Sequence, residues 1–399
     1  MIPMNVNNTP LKVFDEQVVE FLGGLSSELL KSPLVRAYPD VAAFAFYIRK
    51  ANLLKLREEL FPAGTEGRLG RGLCFHIAPG NIPVNFAFTW VFGLLAGNAN
   101  VVRLPSKSFP QVDALLEVIT SHLSANNELQ QRNAFVRYPR TDTEQTAAYC
   151  QMADCRMIWG GDKTIASIKA MPTSPRCVDI AFADRYSLAI IDGDAILAAD
   201  NEAIKRLAEN FYNDTWLMDQ NACSSPQVIC WENDSPAARD RFWSAAEAVA
   251  LARYQLQDAI AVDKYTLLCE EAVVNTSCKS VTRSGNLLYR EELSSLTPDI
   301  INHRGKAGYF FEYSLSQNDS NLVSQSSMSR FQPLSSVITE KFQTVTYYGV
   351  DPRALCSALC SLHCRGIDRI VPIGQAMDIG AVWDGHDLVR ELSRIVAVC

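Results

Sequence analysis

From about residue 71 the chain alternates short apolar runs with helical patterns, and few folds satisfy such a pattern. GLCFHIA precedes the helix-like NFAFTWVFGLLAGN, which stops at a Gly-Asn pair where a left-handed cap is expected. NVVRL, PQVDALLEVITSHLSA, AFVRY, TEQTAAYCQMA and CRMIW continue the series. Short strands alternating with helices specify a parallel sheet covered on both faces, a doubly wound α/β domain. WGGDKTIASIKAMP then leads to the strand-like runs VDIAFA and SLAIID and to a long helix ending near Trp216. MDQNACSSPQ, residues 218 to 227, follows, and a second α/β segment begins at VICWE. The first 70 residues read as helices wrapping the first domain, with DEQVVEFLGGLSSELL clearly amphipathic. The expected division is 1–217, 218–376 and a C-terminal segment 377–399.

Composition removes several function classes. With 48% apolar and 20% charged residues over 399 positions, the chain is globular. Its net charge of -7 and lack of any Lys/Arg-rich run argue against nucleic acid as a partner. Residues 72 to 102 carry no Asp, Glu, Lys or Arg, but Pro79, Pro83 and several asparagines leave only FAFTWVFGLLAG as a continuous apolar block. That block is too short for a membrane span, which needs ~20 residues, and reads as a core helix. The beginning lacks the basic-then-apolar layout of a signal peptide, so a reducing cytoplasm is expected for the twelve cysteines. Cys356, Cys360 and Cys364 recur at helical spacing beside His363, but ALCSALCSLHC matches no zinc spacing and reads as an Ala/Leu helix face; no metal is expected.

Ligands of a doubly wound sheet bind at the carboxyl ends of its strands. No GxGxxG and no GxxxxGK occurs. WGGD follows one strand and opens a helix, so amides near Gly160, Gly161 and Asp162 are candidates to receive a pyrophosphate at the helix's positive end. PGNIP presents Asn81 between two prolines at a strand end, where a rigidly held amide suits an oxyanion; satisfying turn backbone is the alternative role. Cys223 stands among small polar residues, as a reactive thiol or a filled turn. His76 reads as a core histidine, His386 as a weaker candidate still, and Asp219 and Gln220 as capping or turn residues.

Taken in order, HIAPGNIPVN, LLAGNANVVRLPSKSFP, WGGDKTI, DQNACSSPQ and GIDRIVPIGQAMDIGAVWDGHDL resemble the LuxC family. These are acyl-CoA or acyl-protein thioester reductases within the aldehyde dehydrogenase superfamily. The resemblance implies an aldehyde-dehydrogenase-like fold. A Rossmann-like, NADP-binding domain with the N-terminal helices would fill 1–217, and an α/β catalytic domain carrying the nucleophile would fill 218–376. PGNIP resembles the superfamily's Pro-Trp-Asn-Phe-Pro loop, which makes Asn81 the oxyanion donor and puts Pro79 and Gly80 beside the cofactor. Cys223 falls at the nucleophile, GNANVV beneath the adenosine half, and WGGD at the pyrophosphate.

Departures from the superfamily pattern carry information too. Where x-Lys-Pro-x-Glu is usual, this chain has Arg103-Leu104-Pro105-Ser106-Lys107; Arg103 and Lys107 suit a 2′-phosphate, which favours NADPH. Phe182 stands where the base activating the hydrolytic water would be, which suits an acyl-cysteine awaiting hydride rather than water. The implied reaction is NADPH-dependent reduction of an acyl thioester to an aldehyde. Its donor would be acyl-CoA or an acylated partner protein, such as an acyl-protein synthetase or acyltransferase, and the chain would be a homo-oligomer. Two other readings stay open: an acyltransferase or acyl-binding subunit without cofactor, and an acyl-phosphate reductase of the glutamyl phosphate type.

Overall fold

The computed structural model describes residues 6–80, 82–315 and 330–398. The chain forms two compact units, Met1–Asp184 with Ile379–Cys399, and Arg185–Asp378. In the first, five strands run parallel in the order Asn133–Val136, Ala99–Arg103, Leu73–Ile77, Cys155–Trp159, Val178–Phe182. Helices Asn85–Leu95 and Pro110–Ser124, with the amphipathic Glu16–Lys31 behind them, cover one face. Thr143–Met152 and Asp162–Lys169 cover the other, giving the doubly wound arrangement expected from the alternation.

Helix Asn85–Leu95 is buried along its whole length, so the uncharged block is core. No helix among the described residues is long and apolar enough to cross a membrane. One of the asparagines that interrupt the block, Asn100, joins a buried polar chain beneath this helix. His76 Nε2 donates to Asn100 Oδ1 (2.9 Å), since an amide oxygen can only accept. Asn100 Nδ2 donates to Asn133 Oδ1 (3.0 Å), which also accepts Trp90 Nε1 (2.7 Å). Pairing of this kind offsets the cost of burying polar groups. Gly93 permits the close approach: a Cβ there would stand 2.0 Å from Asn100 Oδ1. Gly97, at φ 86°, supplies the expected left-handed stop.

The second unit is a seven-stranded sheet in the order Arg369–Pro372, Phe342–Tyr348, Tyr186–Asp192, Pro226–Glu232, Tyr309–Ser314, Leu288–Leu293, Cys278–Ser284. Every neighbouring pair is parallel except the last. Helices Asn201–Asp214 and Pro236–Arg253 pack on one face, Asp258–Val274 and Pro352–Ser361 on the other. The last of these buries Leu355, Ala358 and Leu359 and exposes Cys356 and Cys360, and no metal-holding group of His, Cys, Asp or Glu occurs among the described residues.

The units part at 184/185 and 378/379 rather than near 217 and 377. Strand Tyr186–Asp192 bonds on both sides to strands of the second sheet, which carries it and helix Asn201–Asp214 out of the first unit. The C-terminal segment is not separate. Ser393–Ile395 pairs antiparallel with Arg68–Gly70, Asn98 Nδ2 donates to the Leu392 carbonyl (2.9 Å), and Leu388, Val389 and Leu392 enter the first unit's core.

Burial, partly offset by the Asn100 hydrogen bond, pushes His76 down to about 4. The folded state therefore binds fewer protons than the unfolded chain between pH 4 and 6.5. His76 stability is present above pH 6.5 and is lost as pH falls through about 4, up to about 3 kcal/mol. Thermal unfolding across that window should show a smaller acid loss for His76→Gln than for the native protein. An equal loss in both would mean that another group carries it.

Candidate functional site

In the first unit the strand order reverses between Leu73–Ile77 and Cys155–Trp159, the position where open α/β sheets hold ligands. Ile77 and Ile158 are register partners, so the chain leaves both strands side by side, one into Ala78-Pro79-Gly80 and the other into Trp159-Gly160-Gly161-Asp162. Pro79 is buried and Gly80 exposed, with nothing within 4 Å of where its Cβ would be. Asn81 lies outside the described residues.

Helix Asp162–Lys169 begins at Gly161 without a side-chain cap, and a Cβ on Gly161 would meet nothing within 4 Å. Its first-turn amides and dipole are thus presented for an anion. The Gly160 amide drops out of the expected set, because it donates to the Phe182 carbonyl (3.2 Å). The opposite end of the helix is fixed by Arg156. Its guanidinium makes a bidentate pair with Asp179 (2.6 Å and 2.6 Å) and donates through Nη1 to the Ile168 carbonyl (2.9 Å).

Arg103 ends the neighbouring strand on the face that these helices cover, since Ala99 and Val101 of the same parity pack there. It is only 7% exposed, its guanidinium lies 4.6 Å from the Tyr138 ring centre, and its buried Nε has no acceptor among the described residues. A buried guanidinium backed by an aromatic face and lacking a carboxylate is suited to an anionic ligand. Tyr138 gave no signal of this role in the sequence; the register Arg103↔Val136 brings it alongside. Lys107 stands apart, exposed with its ammonium 5.1 Å from the Phe109 ring centre.

Phe182, ending the sheet's edge strand, is buried and stacks on Trp159 at 3.9 Å and 14°. His386 closes its edge at 5.9 Å and is held through Nδ1 by Glu391 (2.9 Å).

Cys223 belongs to the second unit, on the turn between helix Asn201–Asp214 and strand Pro226–Glu232. It therefore sits at a strand's amino end, whereas the cofactor candidates occupy carboxyl ends. Asp219 and Gln220 both have positive φ (50° and 58°), a backbone state costly for residues with a Cβ. Gln220 offsets that cost. Its Nε2 donates to the Pro226 and Tyr309 carbonyls (3.0 and 3.1 Å), and its Oε1 accepts from the Gly308 amide (3.1 Å). Ser187 Oγ donates to the Cys223 carbonyl (2.7 Å), and Ser225 Oγ to that of Asp214 (2.7 Å).

The Asp214 carboxylate receives the Gly374 and Ala376 amides (2.6 and 3.0 Å), and burial still raises it to about 7. The turn is thus held from several strands at once while Cys223 itself stays partly accessible. A polar cleft of about 470 Å³ behind it is walled by Gln220, Asn221 and Arg304 among others, and does not include Cys223.

Solved structures share this architecture. A 1-pyrroline-5-carboxylate dehydrogenase of Thermus thermophilus superposes with a TM-score of 0.63 over 96% of this chain and 81% of that one, at 13% identity. An acetylating aldehyde dehydrogenase of Geobacillus thermoglucosidasius gives 0.56 over 90% and 82%, at 10% identity. The fold is that of the aldehyde dehydrogenases. In sequence, the chain is 26% identical over 166 residues to the long-chain acyl-protein thioester reductase of Vibrio harveyi; the match spans 41% of this chain and 33% of that protein. The model of the family described as acyl-CoA reductase (LuxC) matches residues 56–259, just over half of the chain. This chain belongs to the LuxC acyl-CoA reductase family.

Proposed function

We propose that the protein reduces an acyl thioester, acyl-CoA or an acyl group carried by a partner protein, to an aldehyde with NADPH, through an acyl-cysteine on Cys223. The observation that carries the reading is the Cys223 turn. One thiol, at the family's nucleophile position, stands three residues after Gln220, whose buried amide ties the turn to three backbone partners.

In this reading the Cys223 thiolate attacks the acyl carbonyl, a carbon–sulfur bond forms, and the carrier leaves as a thiol. The side-chain amide of Asn81 and the backbone amide of Cys223 stabilise the oxyanion, each by roughly 3 kcal/mol. The residues at the carboxyl edge fit a dinucleotide: Arg103 has a buried guanidinium whose Nε has no acceptor among the described residues, and helix Asp162–Lys169 opens without a side-chain cap. When bound there, NADPH supplies the hydride. Cys223 then releases aldehyde as the thiohemiacetal collapses. Phe182, packed between Trp159 and His386, supplies no base for water, which protects the acyl-cysteine from hydrolysis. The same thioester reductase activity is carried in the name of the Vibrio harveyi relative.

Three outcomes follow from these assignments. Cys223→Ala should lose both covalent labelling by tagged acyl-CoA and aldehyde formation; retained labelling would remove the nucleophile. Arg103→Ala should raise KM for NADPH roughly 10- to 100-fold, the value of one or two charge-assisted hydrogen bonds, and leave KM for NADH within about threefold. Equal effects would end the 2′-phosphate assignment. Gln220→Leu leaves two carbonyls and one amide unpaired and should lower unfolding free energy by about 3 kcal/mol, with a slower acylation burst. An unchanged melting temperature and burst would show that the turn holds itself.

A further inference from the structure

The polar cleft behind the Cys223 turn lies wholly within the second unit, and one atom of its wall is unsatisfied. Gln227 is 4% exposed. Its Nε2 donates to the Gln220 carbonyl (3.1 Å), which fixes the orientation of the amide, because a carbonyl only accepts. That leaves Oε1 buried and without a donor among the described residues. A buried acceptor without a donor is costly, so this one calls for a ligand that carries an N–H or O–H.

Charged side chains of both signs line the same space, which measures about 470 Å³. Asp263, Thr266 and Glu270 stand three and four apart on helix Asp258–Val274, so one stripe of that helix forms the acidic wall. Asp263 is paired with Lys306 (2.5 Å), whereas Glu270 has no hydrogen bond or ion pair among the described residues. The basic wall is the loop that carries Arg304 and Lys306. Arg304 Nη2 donates to the Arg185 carbonyl (2.9 Å), and its guanidinium lies 5.5 Å from the Tyr186 ring centre. This loop is tightly built. A Cβ on Gly305 would stand 1.7 Å from the Tyr309 carbonyl oxygen, the Ala307 amide donates to the Asp219 carbonyl (3.1 Å), and the Gly308 amide to Gln220 Oε1 (3.1 Å).

These groups rule out the simplest occupants. A metal ion would lie beside Arg304 and Lys306, and no metal-holding group occurs among the described residues. A lone anion would leave Gln227 Oε1 bare and meet the charge of Glu270, and an apolar molecule would leave every wall unpaired. A zwitterion satisfies them all: its ammonium donates to Gln227 Oε1 and Glu270, and its carboxylate accepts from Arg304 and Lys306. The volume falls within the ~300–1,000 Å³ of small-molecule sites. We propose that this cleft binds a small zwitterion, an α-amino acid or dipeptide, at a place separate from Cys223, which does not line it.

Calorimetric titration of the full chain, with neither cofactor nor acyl donor present, tests this with the common L-amino acids and alanyl-alanine as titrants. At least one should bind with a millimolar or lower Kd, and the matching amine without its carboxylate and acid without its ammonium should each bind at least ~10-fold more weakly. Glu270→Gln keeps the shape of an exposed, unpartnered side chain, so it should leave the melting temperature unchanged and weaken binding by ~10-fold or more. Thr266→Trp, also at an exposed position, should fill the cleft and abolish binding. No heat from any titrant at tens of millimolar would overturn the proposal. Amine or acid binding as tightly as the zwitterion would overturn it too, as would native affinity in both variants. Because the titration reads no turnover, its outcome is independent of whether Cys223 is acylated.

Discussion

The side-chain amide of Gln220 is the constraint on which the Cys223 turn depends. Two successive left-handed residues cannot be held by local preference, because each costs of order 1–3 kcal/mol without compensation. A glutamine has two donors and an acceptor in one plane, and here all three directions are used, toward Pro226, Tyr309 and Gly308. Burying that amide locks the turn more firmly than an exposed hydrogen bond would, since breaking it leaves polar groups unpaired away from water. Cys223 thus rides on a turn tied at several points to neighbouring strands.

The first unit uses the same device in a different place. His76, Asn100, Asn133 and Trp90 form a polar chain under a largely apolar helix, and Arg156 ties the far end of the WGGD helix to Asp179. The carboxyl edge of the sheet carries a helix start without a side-chain cap and the buried Arg103 guanidinium, whose Nε lacks an acceptor among the described residues. Preorganisation of this kind positions a charged ligand without paying to reorganise the site when it arrives.

Much of this was legible. The alternation located every strand of the five-stranded sheet, and the Gly-Asn stop after Leu95 located the left-handed residue at Gly97. His76 is the core residue expected, and Asp219 and Gln220 do form the turn. Gly160 was read as a ligand amide, but its N–H is spent on Phe182 across the sheet edge. Tyr138, Ser187 and Arg156 gave no signal, because what recruits them is a neighbouring strand rather than a neighbouring residue.

The sequence by itself determined the fold class and the order of strands and helices. Period and punctuation are properties of adjacent residues, and they survive without tertiary context. Only the tertiary structure decided which sheet each strand joins. VDIAFA and SLAIID look alike and lie three residues apart, yet one closes the five-stranded sheet and the other enters the middle of the seven-stranded one. The last twenty residues go back to the first unit for the same reason. Hydrogen bonding between strands pairs backbone with backbone, so the partner is chosen by packing at long range, which no local pattern records.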